Sequence, residues 1–143
     1  MLKMHERTRA LREHPAVSRE LERWWDLVVK DRTHRTAEGL FVHKYEYFRL
    51  MCLVQKVVSP GDNNTVGPEV ESLEADFARF SGKNTVVTKK RFAEAVFHLA
   101  DARCDGNRPD DYVRFLAETL ETLAIYYEGF ELPEKIHKVF AFE

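Results

Sequence analysis

The sequence has few cysteines and no apolar run long enough to cross a membrane. Cys52 and Cys104 are far apart and belong to no CxxC or Cys–His pattern, which favours a reduced intracellular chain. No apolar stretch approaches the ~20 residues of a membrane-spanning helix. The first residues, MLKMHERTRALREH, lack the hydrophobic segment of a signal peptide. We therefore expect a protein of the cytoplasm or of a cytoskeletal structure, without membrane contact.

An excess of charge of one sign is also missing. The chain has 22 Lys and Arg residues against 24 Asp and Glu residues, for a net charge of -2. This balance supplies no overall positive field of the kind that captures nucleic acid or an anionic membrane. Neither is expected as a partner.

Motifs of common enzyme chemistry do not occur. The six histidines show no HxxxH or HExxH spacing for zinc, and no GxGxxG, GxxxxGK[ST] or GxSxG pattern is found. The paired carboxylates Asp110 and Asp111 follow Pro109 at a predicted helix start, where acids stabilise the positive end of the helix dipole. We expect a protein that is not an enzyme and needs no cofactor.

Apolar and aromatic residues are abundant, and they recur at helical spacing. Hydrophobic residues make up 44% of the 143 residues, and ten are Phe, which is enough for one core. We predict an all-α fold of five to six helices, with at most a short strand pairing at Thr85–Thr88. The predicted helices cover 15–30, 43–58, a segment after Pro68, a segment after the N-cap Thr88, 109 to Gly129, and 133–140.

Breaker residues suggest the domain organisation. Residues 1–15 carry a basic N-terminal arm, and residues 16–143 form a single helical domain whose two halves are joined by a linker at 59–68, SPGDNNTVGP. The polar segment 31–39 is predicted to be a loop. The C-terminus is rich in rings, which either pack on the core or dock into a neighbouring protein.

Two stretches repeat at an offset of 20 residues, so that Phe77 corresponds to Phe97 and Phe92 to Tyr112. Each unit has aromatic residues before a tight polar loop and another in the first turn of the next helix. This is the arrangement of an EF-hand, in which a helix, a loop of about 12 residues and a second helix surround calcium. The aromatic residues are expected to hold the two helices together.

Neither loop has the ligands that calcium requires. Residues 81–91 and 101–111 each span 11 residues, one short of the pattern, and Arg91 replaces the final glutamate of the first loop. In the second loop, Asp101 and Asp105 fit ligand positions, but Arg103 occupies another. These two carboxylates are the only metal candidates, and calcium binding is not expected.

The stretch FSGKNTVVTKKRFAEAVFHLADARCDGNRPDDYVRFLAETL, residues 80–120, resembles degenerate EF-hand-like modules of ciliary and flagellar proteins. Arg103 and Cys104 depart from that pattern. The resemblance implies a structural component of an axoneme, with tubulin or other axonemal proteins as partners, located in a cilium or flagellum. The matching residues are Ser81, Gly82, Phe92, Ala95, Phe97, Ala100, Asp101, Tyr112, Phe115 and Leu116.

Basic residues and one tryptophan are the candidate partner-binding residues. A cluster at the start of the fourth helix, with basic residues before it and in the arm, suits an acidic partner such as the tails of tubulin. Trp24 and Trp25 are adjacent and point about 100° apart in a helix, so Trp25 is a candidate interface anchor. The candidates are Arg7, Arg9, Arg12, Trp25, Arg79, Lys83, Lys89, Lys90 and Arg91.

Purely structural interpretations of these residues, and other functions of the chain, stay open. The basic cluster also fits a solvated first turn, the arm a frayed terminus, and Trp25 the edge of the core. A calcium-responsive sensor using residues 101–112 is one alternative function. A module that presents a hydrophobic groove to an amphipathic helix is another.

Overall fold

The computed structural model describes residues 9–29, 34–36, 39–58, 70–81, 86–104, 106 and 108–140. Most of these residues are helical, which confirms the all-α prediction. The helices are α1 Pro15–Val29, α2 Lys44–Val58, α3 Val70–Ser81, α4 Lys89–Arg103, α5 Pro109–Tyr126 and α6 Glu134–His137, followed by a 3-10 turn Lys138–Phe140.

The helix starts follow from local sequence signals. The Thr88 hydroxyl accepts a hydrogen bond from the backbone N–H of Arg91 at 3.4 Å, as an N-cap does. Pro109 begins α5, and the Asp111 carboxylate accepts from the backbone N–H of Arg108 at 3.1 Å. The predicted starts at Thr88 and Pro109 are confirmed.

A small antiparallel sheet joins two regions that are distant in sequence. Its strands are β1 His34–Thr36, β2 Gly39–His43 and β3 Val86–Thr88, in the order β1-β2-β3. β3 confirms the short pairing predicted near Thr88, although Thr85 lies outside the described residues. The prediction of a plain loop over 31–39 was wrong, because residues 34–36 form β1. The strand HRT has no apolar alternation that would predict it, and it is seen as a strand through its pairing with β2.

The core draws on both sides of the segment 59–68. Buried residues of α1 and α2 lie in one cluster with those of α3, α4 and α5. Val42 of β2 and Val87 of β3 lie opposite each other in the sheet, and both are buried in the same cluster. The predicted linker itself lies outside the described residues.

The end of the predicted arm is folded. Residues 9–13 are helical, and Leu11 is buried in the core. The predicted arm, 1–15, is therefore packed against the body from about residue 9 onward, and residues 1–8 lie outside the described part of the chain.

Both adjacent tryptophans of α1 are buried. Trp24 is 0% exposed and its indole N–H donates to the carbonyl of Leu116 at 3.1 Å. Trp25 is 4% exposed and packs edge-on against Phe92, with ring centroids 5.4 Å apart. Of the two interpretations of Trp25 that the sequence left open, its burial favours the core over an interface anchor. α1 contacts both α4 and α5, so two side chains that point about 100° apart can both enter the core.

Candidate partner-binding surfaces

A groove brings together basic residues that are far apart in the sequence. Arg12 comes from the helical residues 9–13 that precede α1, whereas Lys89 and Lys90 come from the first turn of α4. We call this the charged groove; its volume is about 350 Å³. The groove is lined by Arg12, Glu13, Ser18, Leu21, Glu22, Trp25, Lys89, Lys90, Ala93 and Glu94.

The charged groove is not purely basic. Its three cations face three acids, Glu13, Glu22 and Glu94. The Lys89 ammonium pairs with the Glu22 carboxylate, and both side chains are about half exposed. Such an exposed pair contributes little to stability because water and salt screen it. The sequence suggested a basic cluster, whereas the folded surface is balanced in charge with an apolar floor.

The other candidate partner-binding residues lie outside this groove or outside the described residues. Arg9, Arg79 and Arg91 are exposed but do not line the groove. The Arg79 guanidinium lies over the Phe80 ring, 5.3 Å from its centroid. Arg7 and Lys83 fall in segments that are not described.

The second predicted loop uses its acids for contacts within the protein. Asp101, in the last turn of α4, accepts a hydrogen bond from the Tyr112 hydroxyl, and Tyr112 stacks on Phe97 with centroids 5.3 Å apart. Asp111 caps α5, as described above. Gly106 has a φ of +137°, and a Cβ there would collide with the carboxylate of Asp111. The loop therefore needs glycine at this position.

The predicted aromatic contact joins the helices of the second unit through Phe97 and Tyr112. In the first unit, Phe92 packs on Trp25 of α1, and Phe80 lies near the ring of His98, with centroids 5.9 Å apart. Within the described residues, no group of three or more His, Cys, Asp or Glu side chains is arranged to hold a metal ion. Asp105 lies outside that part of the chain.

A buried polar cluster ties α2 to the end of α5, and the sequence analysis did not single it out. The Arg49 guanidinium donates to the carbonyls of Phe130 at 3.0 Å and Glu128 at 3.1 Å, and also to that of Tyr127. The Tyr127 hydroxyl donates to Glu46 at 2.9 Å. Burial, with Glu46 next in importance, raises the pKa of Tyr127 above its ordinary value. We call Glu46, Arg49 and Tyr127 the Arg49 cluster.

A signal for this cluster was present in the sequence. Glu46 and Arg49 are three positions apart in the otherwise apolar run YEYFRLMCLV, a spacing at which helical side chains meet. Sequence alone cannot show that Arg49 also satisfies carbonyls at the end of α5, since those are 78 or more residues away.

A second groove lies between the C-terminal halves of α2 and α5. Its volume is about 710 Å³, and we call it the apolar groove. Ile125 and Tyr126 at its edge are 74% and 57% exposed. Its lining residues are Leu53, Lys56, Val57, Thr122, Ile125, Tyr126, Gly129, Phe130 and Glu131.

The two cysteines differ in environment. Cys52 is buried in the core, and Cys104 is half-buried against it. Burial raises the pKa of the Cys52 thiol to about 12, with Lys135 partly opposing the shift. The thiol is therefore protonated at neutral pH and is a poor nucleophile.

Comparisons with protein-family models, with curated proteins and with solved structures returned no match. In the described part of the chain, no helix is both long enough and apolar enough to span a bilayer.

Proposed function

We propose that this chain is a structural adaptor, without enzymatic activity, that binds an axonemal protein such as tubulin in a cilium or flagellum. The observation that carries the proposal is the charged groove, where Arg12 and Lys90 meet from distant parts of the sequence. The resemblance of residues 80–120 to ciliary EF-hand-like modules suggests the location.

Recognition in the charged groove depends on short-range fit. Because Lys89 is paired with Glu22, Arg12 and Lys90 are the cations that a partner carboxylate meets first. Glu13 and Glu94 cancel their field at longer distance. The apolar floor, formed by Leu21, Trp25 and Ala93, adds contact area. The partner surface that fits has acidic residues beside apolar ones, and turnover plays no part.

Co-sedimentation with microtubules tests this proposal directly. Lys90→Glu reverses an exposed charge that lines the groove and should reduce the pelleted fraction several-fold, the effect of about 1 kcal/mol in binding. Arg114→Glu makes the same charge change at an exposed position of α5 and should bind as the wild type does. Microtubules stripped of the acidic tubulin tails should pellet less protein if the tails are the ligand.

Two results would contradict the adaptor proposal. The first is a wild-type protein that stays in the supernatant with both microtubules and isolated axonemes. The second is a tagged copy that is diffuse in ciliated or flagellated cells. Equal loss of binding in Lys90→Glu and Arg114→Glu would show that net charge, not the groove, controls the interaction.

A further inference from the structure

The apolar groove exposes large apolar side chains beside an open cleft. Ile125 and Tyr126 are the exposed large hydrophobic residues of the described chain. Leu53 and Val57 of α2 line the cleft as well, together with Phe130, which follows α5. Exposed apolar side chains at the edge of a cleft are typical of a protein contact site.

Acidic residues outnumber basic ones among the lining residues of the apolar groove and the positions one helical turn before them on α5. Glu121 and Ile125 are four positions apart on α5, as are Glu118 and Thr122, so each carboxylate lies one turn from a lining residue. Glu131 lines the groove, and all three of these glutamates are exposed. Lys56 is the one cation among the described lining residues, and its ammonium lies 5.8 Å from the Phe130 ring centroid. A positively charged occupant is therefore favoured.

The apolar groove lies between two helices, a position that suits a helical partner. A groove between two helices that is lined partly by apolar side chains is a setting in which an amphipathic helix binds through residues at i, i+3, i+4 and i+7. The segment 59–69 that follows α2 is a poor match, because it carries Asp62 and Glu69 and only Val66 as a large apolar residue.

We infer that the apolar groove binds an amphipathic helix of a partner protein that carries basic residues beside its apolar face. The apolar ridge seats against Ile125, Tyr126 and Phe130, and Lys or Arg residues face Glu118 and Glu121. The lining residues are separate from those of the charged groove, so this contact is independent of the proposed microtubule contact. A protein with both surfaces joins two partners.

The test uses a synthetic helical peptide of leucine and lysine, with leucine at i, i+3 and i+4, and a matched peptide in which glutamate replaces lysine. Binding to the full chain is measured by fluorescence anisotropy, and the site is mapped by amide NMR shifts. We expect the lysine peptide to bind, with shifts in the second halves of α2 and α5. The glutamate peptide should bind much more weakly.

Two variants separate apolar docking from charge attraction. Ile125→Asp removes the apolar contact yet adds a negative charge, and we expect the affinity for the lysine peptide to fall about tenfold. Ala124→Asp adds the same charge at the neighbouring exposed position, which does not line the groove, and should leave the affinity unchanged or raise it. Circular dichroism confirms that both variants are folded.

Four results would overturn the inference. The lysine peptide fails to bind the wild type; both variants bind it more tightly; the glutamate peptide binds equally well; or the wild type is a dimer that Ile125→Asp converts to a monomer. The second result means charge attraction alone, and the last means that a second copy of the chain occupies the groove.

Discussion

Arg49 has a charged side chain in the middle of an apolar helix, and its contacts explain why burial is tolerated. Its guanidinium satisfies carbonyls after α5 that would otherwise face the core unpaired, and its plane lies over the Tyr127 ring, 4.4 Å from the centroid. A buried ionic group is costly unless its hydrogen bonds are complete. The Arg49 side chain pairs with Glu46 and also binds the carbonyls that follow α5.

Replacing Arg49 should therefore be strongly destabilising. We expect Arg49→Met to lower the free energy of unfolding by about 3 kcal/mol, because Glu46 and the carbonyls after α5 lose a partner. Urea denaturation measures the change. Arg114→Met, at an exposed site, should change it by less than about 0.5 kcal/mol. A similar loss in both variants would mean that the Arg49 cluster does not hold the two elements together.

The buried tyrosines should make the fold sensitive to alkaline pH. Burial raises the pKa values of Tyr47 and Tyr127 above the ordinary value near ~10. The unfolded chain releases these protons first, so the contribution of the two tyrosines to the free energy of unfolding is fully present below about pH 10 and is lost as the pH rises further. Tyr127→Phe should make that fall shallower, although it also lowers stability at neutral pH.

Urea denaturation at a series of pH values tests this expectation. Tyr126→Phe removes the hydroxyl of an exposed ring one residue earlier and serves as the control for the loss of a tyrosine. If Tyr127→Phe has the same slope above pH 10 as the wild type, ionisation of Tyr127 does not contribute to alkaline unfolding.

At the scale of elements, two acids at the connection between α4 and α5 make contacts within the protein. Asp101 binds the Tyr112 hydroxyl, and Asp111 caps α5. The carboxylate of Asp101 bridges two helices, and it would leave that contact only if binding an ion lowered the free energy further. Arg103 brings a positive charge into the same connection, which opposes an ion.

Titration calorimetry with calcium tests this loop. We expect no binding heat at millimolar calcium and no change in thermal stability. Asp101→Ala should lower the free energy of unfolding by about 1 kcal/mol with or without calcium, since the Tyr112 hydroxyl loses a partner. Calcium stabilisation of the wild type that disappears in Asp101→Ala would establish the sensor function instead.

The elements were largely predictable, and the exceptions have one cause. The starts of α4 and α5 follow from Thr88 and Pro109, whose effects act within one helical turn. Phe92, which covers Trp25, lies 67 positions further along the chain. β1 pairs with the neighbouring β2, but β2 pairs on its other edge with β3, where Val42 lies opposite Val87, 45 positions away. No local pattern encodes such contacts.

For the whole molecule, the shared core predicts cooperative unfolding. Both tryptophans are in α1, so their fluorescence reports the N-terminal side, whereas far-ultraviolet circular dichroism reports all helices. Because α1 packs on α4 and α5, we expect the two signals to change together in urea. Two separated transitions would mean that the halves fold independently.

A buried substitution beyond the segment 59–68 sharpens this test. Leu73 in α3 has a side chain that is 2% exposed. Leu73→Ala should lower the free energy of unfolding by about 3 kcal/mol, and by the same amount whether fluorescence or circular dichroism is followed. Ser72→Ala, at an exposed neighbouring position, should shift neither appreciably. If the tryptophan fluorescence of Leu73→Ala follows the same unfolding transition in urea as that of the wild type, the two sides of the chain do not share a common core.

The sequence by itself determined the helical class and where most helices begin and end, because periodicity, caps and breakers act over a few residues. Only the tertiary structure decided which side chains meet in the charged groove, which tryptophan faces are covered, how Arg49 reaches the end of α5, and where Ile125 is left exposed. Those outcomes depend on how helices cover one another, and that packing joins residues that no local signal connects.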